Sequence, residues 1–318
     1  SPYKKDRATI GRPERKMNVF RKRPLSLILC IWLGGFLLFA FGIKLPPILF
    51  DATKMIGDAC FPLAMFVTGG ILAAAVNAEV YENFTDVDFV YAANPKLIEN
   101  PFPIPLFTYE EMRELSYAGF SVLHEEALAP VYKKGIPVNI RNTNNPDAPG
   151  TFIVPDKTAP KPTLPVAGIA ADTGFMTIHV YKYMMNRLIG YGCSLLKVLE
   201  EEGVSFEHMP SGIDSISLII REKNCPPEKL ERIVKRYKED LLADSVTVDK
   251  DQAIVMLVGR GMTKNVGVST RATAAFAKGK INIRMINQGP DELNIIFGVD
   301  NKDFKEAIKV LYNSFVTK

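Results

Sequence analysis

The chain has 318 residues and a near-neutral formal charge of +4; 47% of it is hydrophobic, with 22 Gly and 22 Pro. That balance excludes a disordered, collagenous or coiled-coil chain. At about 100–200 residues per domain, the length allows two or three folded units.

The charge is unevenly spread. Residues 1–24 form a basic lead-in, where nine Lys and Arg face only Asp6 and Glu14, so the rest is slightly acidic. No starting Met is present, which suits a piece or processed form of a longer chain. Leu25–Ile43 then runs without a charge; as a helix it would reach about 28 Å, the thickness of a bilayer core. A second uncharged run, Ala59–Val76, is interrupted by Pro62 and by Gly69-Gly70. Two readings stand for 25–76: apolar helices in a membrane, with Lys22 and Arg23 on the cytoplasmic side, or a helix buried in a soluble core. Cys30, Cys60, Cys193 and Cys225 show no zinc spacing and His124, His179 and His208 are scattered. The thiols therefore read as reduced, and no metal site is expected.

Past Val76 the pattern changes. Thr85-Asp86 closes an alternating apolar run, Asn94-Pro95 marks a turn, and Thr108-Tyr109-Glu110-Glu111 is a capping box opening a helix through Met112 and Leu115. Gly135-Ile136-Pro137 leads into a short strand ending near Ile140, and Asn142–Gly150 is a polar turn region. Pro155, Pro160, Pro162 and Pro165 make residues 155–165 a stiff linker between domains.

The last 150 residues carry an internal repeat. Val204–Ile220 aligns with Ile281–Phe297 at an offset of 77, pairing Gly212 with Gly289 and Asp214 with Asp291; upstream, Gly190 pairs with Gly267. Each copy reads strand, Gly-started helix, strand, turn, strand, helix, a βαββαβ ferredoxin-like unit. The closing helices share a stripe, Leu230, Ile233, Val234, Tyr237 and Leu241 against Phe304, Ala307, Ile308, Leu311 and Phe315. Their offset of 74 implies a second connection three residues shorter. Free N–H groups at a helix N-terminus suit a ligand carboxylate, and a glycine lets backbone approach it; Gly190-Tyr191-Gly192 and Gly267 stand at those positions.

Three resemblances add to this. The string GIKLPPILFDATKMIGDACFPLAMFV, within residues 18–68, resembles part of an auxin-efflux-carrier or malate-permease-type transporter, which implies membrane contact through 25–76. TDVDFVYAANPK and the stretch from Thr108 to Thr151 resemble aspartate kinases of the amino-acid kinase fold. The paired βαββαβ units resemble the tandem ACT domains of the same family. The resemblance implies a truncated α/β amino-acid kinase fold (70–154), followed by two α+β ferredoxin-like ACT units (166–245 and 246–318), with the seam to the head near 67–70.

For function, the family implies ATP-dependent phosphorylation of L-aspartate to 4-phospho-L-aspartate in lysine, threonine and methionine biosynthesis. It implies ATP with Mg²⁺ as cofactor and lysine, with threonine as a second candidate, as effector. It further implies a homodimer through the ACT units, a cytoplasmic body and no nucleic acid. The ATP-contacting positions map to Thr85, Asp86, Tyr91 and Lys96, with Ser121 where the family often has Lys; Phe89 stands at a family Gly, where a large side chain is expected to clash or strain the turn. The KFGGSS and Arg-Gly-Gly-Ser-Asp segments are absent, so no catalytic residue is assigned within the chain. Effector positions map to Met185, Gly190, Tyr191, Ser205, Phe206, Glu207, Ser211 and Asp214, Phe206 being alternatively core and Glu207 and Asp214 alternatively solvated charges. Arg284 replaces Glu207 in the second copy, which disfavours an ammonium there and places the effector in the first unit. Two other readings remain: a catalytically incomplete lysine-sensing ACT module, and a membrane-associated fusion with a permease fragment.

Overall fold

Two kinds of local signal, a capped helix and a run of glycines with left-handed backbone, organise the fold. The computed structural model describes residues 68–120 and 125–316. The basic lead-in, the apolar runs up to residue 67, the transporter-like string and Ser121 lie outside them. Among the described residues no helix is long and apolar enough to cross a membrane.

Helix α1 (68–76) contains Gly69 and Gly70, so the expected break there is not seen. A Cβ on Gly69 would lie 2.8 Å from the Tyr81 hydroxyl, so the glycine admits that ring rather than ending the helix. Next come β1 (Tyr81–Thr85), β2 (Val90–Tyr91), β3 (Pro103–Ile104), β4 (Leu106–Thr108), α2 (Tyr109–Tyr117), α3 (Glu125–Lys134), β5 (Val138–Asn142) and β6 (Thr151–Val154). They form a mixed sheet ordered β1-β5-β6-β4, with a separate β2-β3 pair. The capping box is present: Thr108 Oγ1 accepts from the Glu111 amide, and the Glu111 carboxylate accepts from the Thr108 amide at 2.9 Å. Met112 and Leu115 are fully buried.

Residues 155–165 do not act as a free spacer. The chain at Leu164–Pro165 lies against Gly259 and Gly261, where an added Cβ on Gly261 would stand 2.2 Å from the Leu164 carbonyl oxygen. The Arg260 guanidinium also donates to the Pro160 carbonyl.

The rest is β7 (Gly168–Tyr181), α4 (Tyr191–Glu201), β8 (Phe206–His208), β9 (Ser215–Arg221), α5 (Pro227–Glu239), β10 (Ser245–Val258), α6 (Val268–Lys278), β11 (Ile283–Asn287), β12 (Asn294–Asp300) and α7 (Phe304–Phe315). One six-stranded sheet holds the strands in the order β11-β12-β10-β7-β9-β8. β7 and β10 are long antiparallel partners whose register shifts in the middle, near Gly174 and Asp251. Both of those residues have left-handed backbone, φ 81° and 55°, and they are repeat equivalents. The shift divides the sheet into two four-stranded halves of ferredoxin-like order. In the first, the outer half of β7 opens the unit and the start of β10 closes it. In the second, the end of β10 opens the unit, and the fourth strand is the beginning of β7. The boundary expected at 245/246 therefore falls at the start of a strand that serves both halves.

Strand pairing also refines the repeat. Phe206 faces Ile220 and Ile283 faces Val299, so the third strands are offset by 79 while the second strands keep 77. A two-residue slip preserves which side chains face the core, which is why hydrophobic pattern alone does not expose it. α5 and α7 begin at Pro227 and Phe304, after β9 ends at Arg221 and β12 at Asp300. Counted between element ends, the second connection is two residues shorter, 301–303 against 222–226.

Candidate functional site

The kinase-like residues converge. Thr85 ends β1, where its carbonyl accepts from the Thr143 amide at 2.8 Å. Its hydroxyl lies 3.2 Å from an Asp86 carboxylate oxygen. β2 is anchored from below, the Val90 amide donating to Thr151 Oγ1 at 2.9 Å, and that hydroxyl donating to the Ile104 carbonyl at 2.7 Å. The Asn94-Pro95 turn forms as expected, with Asn94 Oδ1 accepting from the Lys96 amide at 2.9 Å. Thr85, Asp86, Tyr91 and Lys96 line one cavity of about 390 Å³, to which Gly119 and Phe120 also contribute.

Phe89 lines the same cavity and meets Tyr91 edge-to-face at 6.5 Å. Its backbone is not left-handed, so the expected strain at this position is absent. The turn does not need glycine, and the ring adds apolar surface beside Tyr91. The six-stranded sheet forms part of the support: the Ile169 amide in β7 donates to the Ala92 carbonyl at 2.7 Å, between the cavity residues Tyr91 and Ala93.

The eight effector candidates do not converge on one cavity. Met185 and Tyr191 are buried in the first half's core. Gly190 is the left-handed N-cap of α4, φ 81°, with no side-chain cap, as Gly267 is for α6 at φ 88°. Ser205 and Phe206 line a cavity of about 510 Å³ with Cys193 and Lys197. Phe206 is exposed, on edge strand β8, and is not core. Ser211 borders a separate groove of about 410 Å³ with His179, Ser217 and Arg284. The Asp214 carbonyl accepts from the Lys182 amide at 2.9 Å.

Glu207 is not a solvated charge. Arg221 Nε donates to one of its carboxylate oxygens at 3.2 Å, and the Tyr117 hydroxyl donates to the other. Arg221 also pairs with Asp172 at 2.6 Å and lies over the Phe175 ring at 4.6 Å. Burial alone would lower the Arg221 pKa, but Asp172 and Glu207 outweigh it and hold it above the ordinary arginine value. Burial first, and Glu207 next, raise the Tyr117 hydroxyl. His208, beside Tyr117, is shifted down by burial, against the pull of Glu207.

Tyr117, Asp172 and Arg221 were invisible to pattern reading. Their partners lie 49 and 90 residues away, and no local spacing marks them. The one available signal was the repeat: Arg284, the equivalent of Glu207, pairs with Asp300 at 2.9 Å. At the corrected offset, Asp300 is the equivalent of Arg221, so the two halves carry the same cross-strand ion pair with its signs exchanged.

Residues 67–142 match the amino acid kinase family, and residues 255–315 match an ACT domain. Aspartokinase 3 of Bacillus subtilis (strain 168) is 49% identical over 249 residues, covering 78% of this chain and 54% of that protein. The crystal structure of Clostridium acetobutylicum aspartate kinase superposes with a TM-score of 0.75 at 44% identity, over 79% of this chain and 57% of that one. E. coli aspartokinase III, solved in complex with aspartate and ADP, shares the fold with a TM-score of 0.66 at 22% identity, over 78% of this chain and 55% of that one. The chain thus spans about half the length of these relatives. With the kinase-like cavity and the doubled ferredoxin-like sheet, these likenesses show that the chain belongs to the aspartokinase family, of which it carries the C-terminal part of the kinase domain and the ACT regulatory region.

Proposed function

We propose that the chain acts as the nucleotide-contacting and effector-sensing portion of an aspartate kinase, serving ATP-dependent phosphorylation of L-aspartate to 4-phospho-L-aspartate under feedback by lysine. The observation that carries this reading is the convergence of Thr85, Asp86, Tyr91 and Lys96 on one cavity. Its volume of about 390 Å³ falls in the usual range for small-ligand sites. Lys96 offers a point charge to phosphates, and Phe89 and Tyr91 offer ring faces to a base. Among the described residues no group of three His, Cys, Asp or Glu could hold a metal, so Mg²⁺ would enter with the phosphates. E. coli aspartokinase III has been solved with aspartate and ADP, and with lysine and aspartate; lysine at the first ACT half is the corresponding expectation here, in a cytoplasmic body.

A homodimer through the ACT region is part of the same proposal. Ile189 and Val266, equivalents at offset 77, are both fully exposed, each just before its left-handed glycine. Two apolar tips related by the repeat suit a self-complementary interface. Sedimentation of Ile189→Asp against the native chain tests this, with a shift toward monomer expected.

For the main reading, titration of a fluorescent ATP analogue into the full chain is the test. Micromolar to low-millimolar binding, weakened about tenfold or more by Asp86→Ala, is expected. Absence of binding by the folded chain would overturn it, and lysine binding without nucleotide binding would favour a sensing module instead.

A further inference from the structure

We propose that Tyr117, Glu207 and Arg221 form a strap by which the regulatory sheet positions the Gly119–Phe120 wall of the kinase cavity. Assigning nucleotide to that cavity rests on the reading above; the strap itself rests on geometry.

The wall is a rigid continuation of α2. Tyr117 is the last residue of the helix, and Ala118 is its C-cap. The Gly119 amide donates to the Ser116 carbonyl at 3.2 Å, and the Phe120 amide to the Leu115 carbonyl at 3.0 Å. With Gly119 at φ 108°, this is a Schellman stop. A displacement of the last turn of α2 is therefore passed directly to the two residues that line the cavity.

That last turn is held from the regulatory side at two places. The Ala171 carbonyl oxygen of β7 sits behind Gly119, so close that a Cβ there would stand 3.0 Å from it. The Tyr117 hydroxyl is held by Glu207 of β8. β8 is the edge strand, and its register with β9 shifts between Phe206 and His208. Glu207 is the extra residue of this bulge, and a bulge re-aims a side chain that regular pairing would direct elsewhere. Arg221 keeps Glu207 in place and is itself tied to Asp172 on β7, one residue beyond Ala171. The charge network thus includes one support of the cavity wall, Glu207, and the residue next to the other, Asp172 beside Ala171. Ser205 and Phe206, which line the cavity beside α4, are the residues immediately before Glu207 on the same edge. A ligand that moves this edge strand displaces Glu207 and, through Tyr117, the wall.

The test compares Tyr117→Phe and Glu207→Ala in the full chain by amide hydrogen exchange at residues 118–120 and by titration with a fluorescent ATP analogue. Removing a hydrogen bond to a charged group should lower protection of the Gly119 and Phe120 amides about tenfold. The double variant should show no further loss, because both changes cut the same link. Glu202→Gln, which breaks only the exposed pair with Arg232, should leave both readouts unchanged. Wild-type exchange at 119 and 120 in both single variants would overturn the strap. Failure of the unmodified chain to bind the analogue would instead remove the nucleotide reading and leave the exchange result decisive. Two variants keep the test open if one does not fold.

Discussion

The hydroxyl of Tyr117, at the end of a kinase helix, donates to the carboxylate of Glu207, on the edge strand of the regulatory sheet 90 residues later. Around this contact Arg221 gathers two carboxylates, and His208 packs edge-to-face on the tyrosine ring at 6.1 Å.

Arg221→Ala leaves Glu207 and Asp172 without their shared cation. Breaking a fully buried pair costs about 3–5 kcal/mol; Asp172 is 35% exposed, so a loss of about 2–3 kcal/mol is expected after allowing for solvent screening. The sign-exchanged pair in the other half is more open, with Arg284 49% exposed, so solvent screening should make Arg284→Ala clearly the milder of the two changes. Urea unfolding of the two variants should rank them in that order; equal losses would mean the network adds nothing beyond a surface pair.

Lys280 has left-handed backbone, φ 55°, at the repeat position where the first half has Gly203, φ 63°. A side chain in that region costs about 1–2 kcal/mol, partly offset by the freedom glycine gives the unfolded chain. Lys280→Gly should therefore stabilise the fold by about 0.5–1 kcal/mol. A lower melting temperature would contradict this account.

Gly261→Ala puts a methyl group 2.2 Å from the Leu164 carbonyl oxygen, in backbone that cannot rotate away. A loss of about 2–3 kcal/mol is expected. Gly192→Ala is the matched control: its Cβ would meet Ile216 Cδ1 at 3.6 Å, an ordinary contact, and a helical alanine in place of glycine should add up to about 1 kcal/mol. Thermal unfolding separates the two signs.

His208 is pushed below its ordinary pKa by burial. The unfolded chain then binds more protons than the folded one between the folded and unfolded values. Its contribution to stability is present above about pH 6.5 and is lost as pH falls through the folded value. Chemical unfolding from pH 8 to pH 5 should show stability falling with acid, and His208→Asn should flatten that part of the profile. An unchanged slope would assign the acid sensitivity to other groups.

Much of the fold was legible in local sequence, because its signals act over one turn or one strand. The Thr108–Glu111 box set the start of α2, and Gly190 and Gly267 stood at helix starts since only glycine readily takes that backbone. The same holds for the kinase-like cavity: four of its residues fall within twelve positions, and the turn that joins them is built from neighbours. The effector candidates were less legible. They are spread over the turn before α4, the start of that helix, strand β8 and the turn that follows it, and the fold distributes them over a core, two cavities and an ion network.

By itself, then, the sequence determined the helix caps, the kinase-like strings, and the existence and approximate period of the repeat. All three are written in short-range backbone preference and hydrophobic period. Only the tertiary structure decided that the two ACT halves share β7 and β10, that the second half takes its fourth strand from the beginning of the first, and that Glu207 is committed to Tyr117 and Arg221. Strand exchange of this kind leaves the hydrophobic alternation of every strand unchanged, and a contact across 90 residues depends on how a bulge turns one side chain. Neither has a local sequence signature.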